Sequence, residues 1–460
     1  MFSEESNTHY RISSVEDIDH DLIVDLINHH KNEQRTRLET LERYYKGENV
    51  EILDKVRRKE EHLADNRAVH NFAKYVTNFI VGYMVGVPLK TNYEEDEAVD
   101  ELLRDINVKN DADEHNSELV MNLSIYGRAY ELLYRSSDDV TKFVTLNPKH
   151  TFVIYDDSIE MKPIAAIRYI GSQFSEEETI YLYTDSEVLV YSLDRGGKLR
   201  LKEEYSHYFD GIPVNEYTNN KYRQGDFEDV ISLIDLYDAA QSDTANYMKD
   251  LNDAMLKIVG NLDISIEEAK AMKEANLLFL QTEPNANGTT QNADADYIYK
   301  KYDVQGAEAY KDRIFNNILL FTSIPNLLDE EGGTNQSGEA LKMKLFALSQ
   351  KRAVKERLFK KSLRDRYRLI KNIMNTASEG DFDIDNISIT FTENLPSMVD
   401  KEVAWFTQAG GRLSQQTLLE QLSFIENSQV ELERIEEENE LQQDVFNFNE
   451  IFQQQEEVDE

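Results

Sequence analysis

An α+β fold built mainly from helices is predicted by three features of this 460-residue sequence. Apolar residues recur at helical spacing through the first 130 residues and again beyond about 227; short runs rich in Val, Ile, Thr and Tyr cluster between about 140 and 208; and turn-rich segments separate the two textures. A chain this long has room for two or three domains, because the buried fraction of surface rises with size.

The first helices begin where Ile18, Leu22, Ile23, Leu26 and Ile27 keep the spacing, which Leu38, Leu41, Tyr44 and Tyr45 carry on to Gly47. Further helices are expected at about 66–86, 96–106 and 114–133. The longest apolar run, FIVGYMVGV (79–87), is about half the roughly 20 residues of a membrane span, so it reads as buried helix. KFVTL, TFVIYD, IAAIRYI, TIYLYT, EVLVYSL and LRLKEEY predict antiparallel strands, with DRGG (194–197) as a hairpin turn.

Beyond YTNNKYRQGD (217–226), Val230, Ile231, Ile234, Leu236 and Tyr237 mark a helix of about 25 residues, roughly 38 Å long. A small unit follows. LKIV (256–259), LLFLQ (277–281) and YIYK (297–300) look like strands, Ser265 and Glu268 form a capping-box pattern, and EPNANGTTQNADAD (283–296) reads as a polar loop. A helix at about 305–322 stops before Pro325. DEEGGTNQSGEA (329–340) then leads into a helix from Ser337 to about Thr376, whose length implies bending or partial exposure. DFDIDNISITFTENLP (381–396) alternates like a strand, and the remainder is helical, turning acidic from Glu431.

Charge excludes some functions. With 88 acidic and 50 basic residues the chain carries a net charge of -38, which argues against avid nonspecific binding to nucleic acid or anionic membrane. The charge is also segregated: residues 337–371 hold twelve Lys/Arg against three acids, and residues 430–460 hold twelve acids and one Arg. Leu341, Leu345, Leu348, Val354 and Leu358 give the basic helix an apolar stripe, leaving most basic positions on its other faces. That row could meet phosphates or acidic protein surface, and composition favours the second. The absence of Cys excludes disulfides and thiolate sites and suits a reducing compartment. The N-terminus lacks a secretory pattern, so synthesis in the cytoplasm is expected.

Nothing specifies a catalyst. GGTNQSGEA resembles a phosphate loop superficially, but Ser337 is followed by Gly338 and Glu339, and Ser337 reads better as an N-cap. The nine His form no zinc set, since His29 and His30 are adjacent and His62 and His70 eight apart. Asp381, Asp383 and Asp385 open like a calcium loop, yet Asn386 and Thr392 stand where Gly and Glu are needed; strand alternation explains them better. No GxSxG, HExxH or GxGxxG pattern occurs. No catalytic residue, metal ligand or cofactor is expected.

Several segments together carry a resemblance: VTNFIVGYMVGVPLKTNY, LNPKHTFVIYDDSIEMKPIAAIRYI, GIPVNEYTNNKYRQGDFEDVISLIDLYDAAQSDTANYM, SIPNLLDEEGGTNQSGEALKMKLFAL and ISITFTENLP, in that order. The chain resembles the portal proteins of tailed double-stranded DNA bacteriophages, of the type common in long-tailed phages of Gram-positive hosts. The resemblance implies a homo-oligomeric ring, usually of twelve subunits, at one capsid vertex, through which double-stranded DNA is packaged and later ejected. It implies a place in the virion after assembly in the host cytoplasm, and as partners the terminase large subunit, a head-completion or adaptor protein, and the scaffolding and major capsid proteins, with no membrane.

By position, the resemblance divides the chain into an N-terminal wing region (1–226), first stem helix (227–251), clip (252–303), second stem helix (304–324), tunnel loop (325–336), long helix and wing strand (337–400) and crown (401–460). The tunnel loop would bring Leu327, Leu328, Asp329, Glu330, Glu331, Gly332, Gly333, Thr334, Asn335 and Gln336 to the channel. Rings of Asp329, Glu330 and Glu331 would repel the duplex and let it slide, with Gly332 and Gly333 supplying backbone freedom. Lys342, Lys344, Lys351, Arg352, Lys355, Arg357, Lys360, Lys361 and Arg364 would mainly meet a neighbouring subunit's acids, a minority facing DNA. In the clip, Glu283, Asn285, Asn287, Thr289, Gln291 and Asn292 would form an exposed docking surface for the motor or adaptor. Two other readings stand beside this one: a metal-dependent DNA-processing enzyme using Asp294, Asp296, Asp381 and Asp383, or an acidic helical scaffold or adaptor without a channel.

Overall fold

The computed structural model describes residues 2–57, 64–171, 174, 177–194, 196–250, 255–259, 265, 267–268, 270–271, 294–298, 303–326, 338–392, 399–409, 413–422, 425, 428–436 and 438. In chain order the helices are α1 (His20–His29), α2 (Arg35–Lys46), α3 (Val50–Asp54), α4 (Phe72–Val85), α5 (Glu97–Lys109), α6 (Ala112–Tyr126), α7 (Ile231–Asp250), α8 (Val304–Thr322), α9 (Gly338–Ala377), α10 (Val399–Ala409) and α11 (Gln415–Glu420). The strands are β1 (Tyr10–Arg11), β2 (Lys90–Tyr93), β3 (Arg128–Arg135), β4 (Thr141–Leu146), β5 (Thr151–Tyr155), β6 (Pro163–Gly171), β7 (Glu178–Tyr183), β8 (Glu187–Leu193), β9 (Leu199–Ser206), β10 (Val214–Thr218), β11 (Met255–Val259), β12 (Asp294–Ile298) and β13 (Ile387–Thr390). They fall into two compact units, one of residues 1–46, 72–229 and 322–460, the other of 47–71 and 230–321.

In the larger unit, strand alternation builds a layered core. A six-stranded sheet runs β1-β5-β6-β7-β8-β9, antiparallel except for the β1–β5 pair. Because successive side chains point to opposite faces, Phe152, Ile154, Ala165 and Ile167 meet Ile23 and Ile27 of α1, while Val153, Ala166 and Tyr183 meet Tyr130, Leu146 and Val214 of the three-stranded sheet β10-β3-β4. A third core gathers α5, α6 and α9 around Leu103, Leu119, Leu123, Phe359, Leu363 and Ile370. Gly197, at φ +78°, makes the expected hairpin turn between β8 and β9.

Four boundaries differ from the sequence reading, one of them the polar loop read over 283–296, whose last three residues open strand β12. The helix expected over 114–133 ends at Tyr126, because Gly127 takes a left-handed φ of +79° and Arg128–Arg135 continues as a strand with Ala129, Tyr130 and Leu133 buried. The helix expected from 66 starts at Phe72. Of the strand expected over 381–396, the described residues form Ile387–Thr390, paired antiparallel with Lys90–Tyr93, and 393–396 lie outside them; Asp383 instead caps the short turn Ile384–Asn386, accepting from Asp385 N at 3.1 Å.

In the smaller unit, the extended segment before α4 is held by a polar ladder on α7. Asp238, Ser242 and Asn246, spaced four apart and buried, accept hydrogen bonds from the backbone N–H groups of His70, Ala68 and Asn66 at 2.9, 2.9 and 2.6 Å. Lys311 of α8 donates to Gln241 of α7 at 3.3 Å. Between these helices in sequence, β11 and β12 pair antiparallel, and Ser265 and Glu268 make the reciprocal capping contacts their spacing predicts. LLFLQ (277–281) lies outside the described residues.

Candidate functional site

The basic helix α9 has two opposed faces. Its core-facing stripe reads Leu345, Leu348, Arg352, Lys355, Phe359, Leu363, Arg366, Ile370 and Ile373, three or four residues apart and all buried. The stripe is therefore mixed. Most of the basic residues do stand on the other faces, but Arg352 and Lys355, expected to meet a neighbouring subunit or DNA, point into the protomer together with Arg366, and Val354, placed in the stripe by the sequence reading, is 51% exposed. The reason is electrostatic, since each inward cation of the stripe's middle and end finds a buried carboxylate on the opposing layer.

Two such centres are formed. Lys355 Nζ lies 2.5 Å from Asp226 Oδ2, and Lys351 Nζ 3.1 Å from Asp226 Oδ1. Burial pushes the Asp226 carboxyl up, but Lys355 and Lys351 outweigh it and hold it well below the usual carboxylate range. At the other centre Arg366 Nη2 lies 2.6 Å from Glu131 Oε1, with His115 Nε2 at 2.7 Å from the same oxygen and the Tyr217 hydroxyl donating to Oε2 at 3.0 Å. Burial raises the Glu131 carboxyl, yet Arg366 and His115 bring it down to about 2. The Arg366 guanidinium also lies 4.5 Å from the centre of the Phe143 ring.

The loop before α7 places Asp226 by a close backbone crossing. A Cβ on Gly127 would stand 2.0 Å from the Arg223 carbonyl oxygen, and one on Gly225 2.6 Å from that of Ile125, so glycine is required at both contacts. Asp226 N donates to Ser124 O at 2.8 Å, and Arg223 turns inward to Glu216 at 2.7 Å.

The outward face of α9 carries Met343, Phe346, Val354, Arg357, Lys361 and Arg364, all exposed. Lys360 is half-buried, 2.9 Å from Glu356 and 5.5 Å from the Phe391 ring centre, and Lys344 is half-buried. Lys342 belongs to the helix. Residues 327–336, which hold all ten tunnel-loop candidates, and 283–292, which hold the six clip candidates, lie outside the described residues. Asp294 and Asp296 are on β12; Asp381 is 3.3 Å from Lys371. Among the described residues no group of three or more His, Asp or Glu could hold a metal ion, and no helix is long and apolar enough to cross a membrane.

Residues 24–444 match the family model described as phage portal protein, SPP1 Gp6-like. The chain belongs to the phage portal protein family. Among curated relatives it is 25% identical over 421 residues to the portal protein of Bacillus phage SPP1, covering 86% of this chain and 79% of the relative. It is 25% identical over 368 residues to the portal protein of Clostridium phage phiCD119, covering 74% and 78%. It is also similar, at 13% identity and a TM-score of 0.45, to a chain in the neck of the native gene transfer agent particle computed with C12 symmetry, covering 76% of this chain and 89% of that one. A chain of the virion of that native particle gives 12% identity, a TM-score of 0.45, and 83% and 91% coverage.

As a portal protein the chain is a structural component of a phage head, not an enzyme. Sequence reasoning missed the buried acids that organise this portal subunit. Glu131 had a legible signal, a carboxylate inside the apolar alternation of RAYELLYR, whereas Asp226 sits in a polar loop that reads as solvated.

Proposed function

We propose that copies of this chain close into a ring that forms the DNA channel at one capsid vertex, serving packaging and ejection. The observation that carries this reading is the match to the portal family across residues 24–444. The order helix, two-stranded pair, helix, long helix supports assigning 227–251 and 304–324 to the stem and 252–303 to the clip, which leaves 325–336 for the tunnel loop. The clip would dock the terminase large subunit and later a head-completion protein, and residues 401–460 would form the crown. The subunits would assemble with scaffolding and major capsid proteins in the host cytoplasm.

The tunnel loop's three consecutive acids fit a bore that must not grip its cargo. Phosphate contacts by lysines repeated around a ring would sum to a strong, salt-dependent hold, whereas carboxylates leave the duplex free to slide. Native mass spectrometry and negative-stain imaging of the purified chain test the proposal. Rings with a central hole are expected, usually of twelve copies; a chain that stays monomeric at high concentration overturns it.

A further inference from the structure

The outward face of α9 is in two parts. Met343, Phe346 and Val354, which are 79, 62 and 51% exposed, occupy its first half, and Arg357, Lys361 and Arg364 continue the same line. At 1.5 Å per residue the strip is about 32 Å long. The three cations make no ion pair among the described residues, unlike Lys351, Lys355 and Arg366 of the same helix. An exposed apolar patch running into unpaired positive charge, on a chain of net charge -38, marks a contact surface.

The same unit carries a surface of matching pattern elsewhere. A cleft of 590 Å³ is lined by Glu94, Glu97, Glu101, Glu420 and Glu433, which make no ion pair among the described residues. It shares Asn92, Arg104 and Val430 with an adjoining groove of 980 Å³ that sets Val87, Pro88, Leu89, Val108 and Ile425 beside Asp111, Asp113, Glu114 and Glu431. The helix strip therefore joins apolar and basic side chains, and the joined clefts combine apolar and acidic ones. No residue belongs to both surfaces.

We infer that the outward face of α9 docks into the acidic cleft and apolar groove of a second copy of this chain. Two different patches meeting head to tail make a heterologous contact, the kind that closes rings when repeated. Met343, Phe346 and Val354 would bury against Val87, Leu89 and Val108, with Arg357, Lys361 and Arg364 facing Glu97, Glu101 and Glu433. This inference rests on the ring reading and names the surfaces that make it.

Complementary charge reversal tests it. One variant carries Arg357→Glu, Lys361→Glu and Arg364→Glu; the other carries Glu97→Lys, Glu101→Lys and Glu433→Lys. All six positions are exposed, so each variant is expected to melt like the unaltered protein. Alone, each should lose ring formation by about tenfold or more in native mass spectra at low salt. Mixed one to one they should recover rings of even copy number, because each reversed patch then meets its complement. The single changes Lys361→Glu and Glu101→Lys should give the same pattern more weakly. Rings from either triple variant alone, or no recovery on mixing, overturn the inference. So does a face variant that keeps its rings but loses DNA from the channel, since the strip would then meet phosphate. If the unaltered protein forms no rings, it is the ring reading that fails.

Discussion

Arg366 and Glu131 form an ion pair of 2.6 Å in which both side chains are buried, joining the middle of strand β3 to the long helix α9. The pair lies at the junction of the three-stranded sheet and the helical core, with His115, Tyr217 and Asn215 as further partners of the carboxylate. A buried pair of this kind is costly to half-remove, because the remaining charge has no water to turn to.

Arg366→Met is expected to destabilise the larger unit by about 3–5 kcal/mol, and Glu131→Gln in the same chain to restore part of the loss. Urea denaturation of the single and double variants measures both. A double variant no more stable than Arg366→Met would show that Glu131 is not the burden left behind.

The same carboxyl sets an acid limit. Its folded pKa, about 2, lies below the ordinary glutamate value of 4.5, so its contribution is fully present above about pH 4.5 and is lost as pH falls towards about 2. Thermal melts across that window should fall more steeply for the unaltered protein than for Glu131→Gln, which has no proton to gain there.

The inward and outward cations of α9 should separate cleanly on substitution. Lys355→Glu sets a second carboxylate against Asp226 in a buried site and is expected to prevent folding, while Arg357→Glu, on the exposed face two residues along, should fold normally. Circular dichroism and soluble yield distinguish the two.

Gly127→Ala is expected to cost upwards of about 2 kcal/mol, since the position combines φ +79° with a Cβ 2.0 Å from the Arg223 carbonyl oxygen. The loop that presents Asp226 to Lys355 must shift to admit the methyl group. Denaturant midpoints of the variant and the unaltered protein provide the measurement.

Replacing Asp329, Glu330 and Glu331 together by Lys should leave assembly intact and make the ring retain duplex DNA. Retention should be strong near about 50 mM salt and fall sharply by about 200 mM. Co-sedimentation with labelled duplex reads this, and unchanged retention would remove the sliding argument for the loop.

The sequence by itself determined much of the element order, though not strands β1, β2, β3 and β10. Helical spacing from Ile18 onward, the strand runs of 140–208, the DRGG turn and the Ser265–Glu268 cap are local signals, set by backbone periodicity and neighbouring hydrogen bonds, and the structure contains each of them. The resemblance to portal proteins was legible for the same reason, being carried by ordered local segments. Only the tertiary structure decided which way α9 faces. Arg352, Lys355 and Arg366 look like surface residues until Asp226 and Glu131, 129 and 235 positions away, are brought beside two of them. Desolvating a cation is unfavourable alone and becomes tolerable when a carboxylate shares the site, and that pairing across long separations leaves no trace in residue spacing.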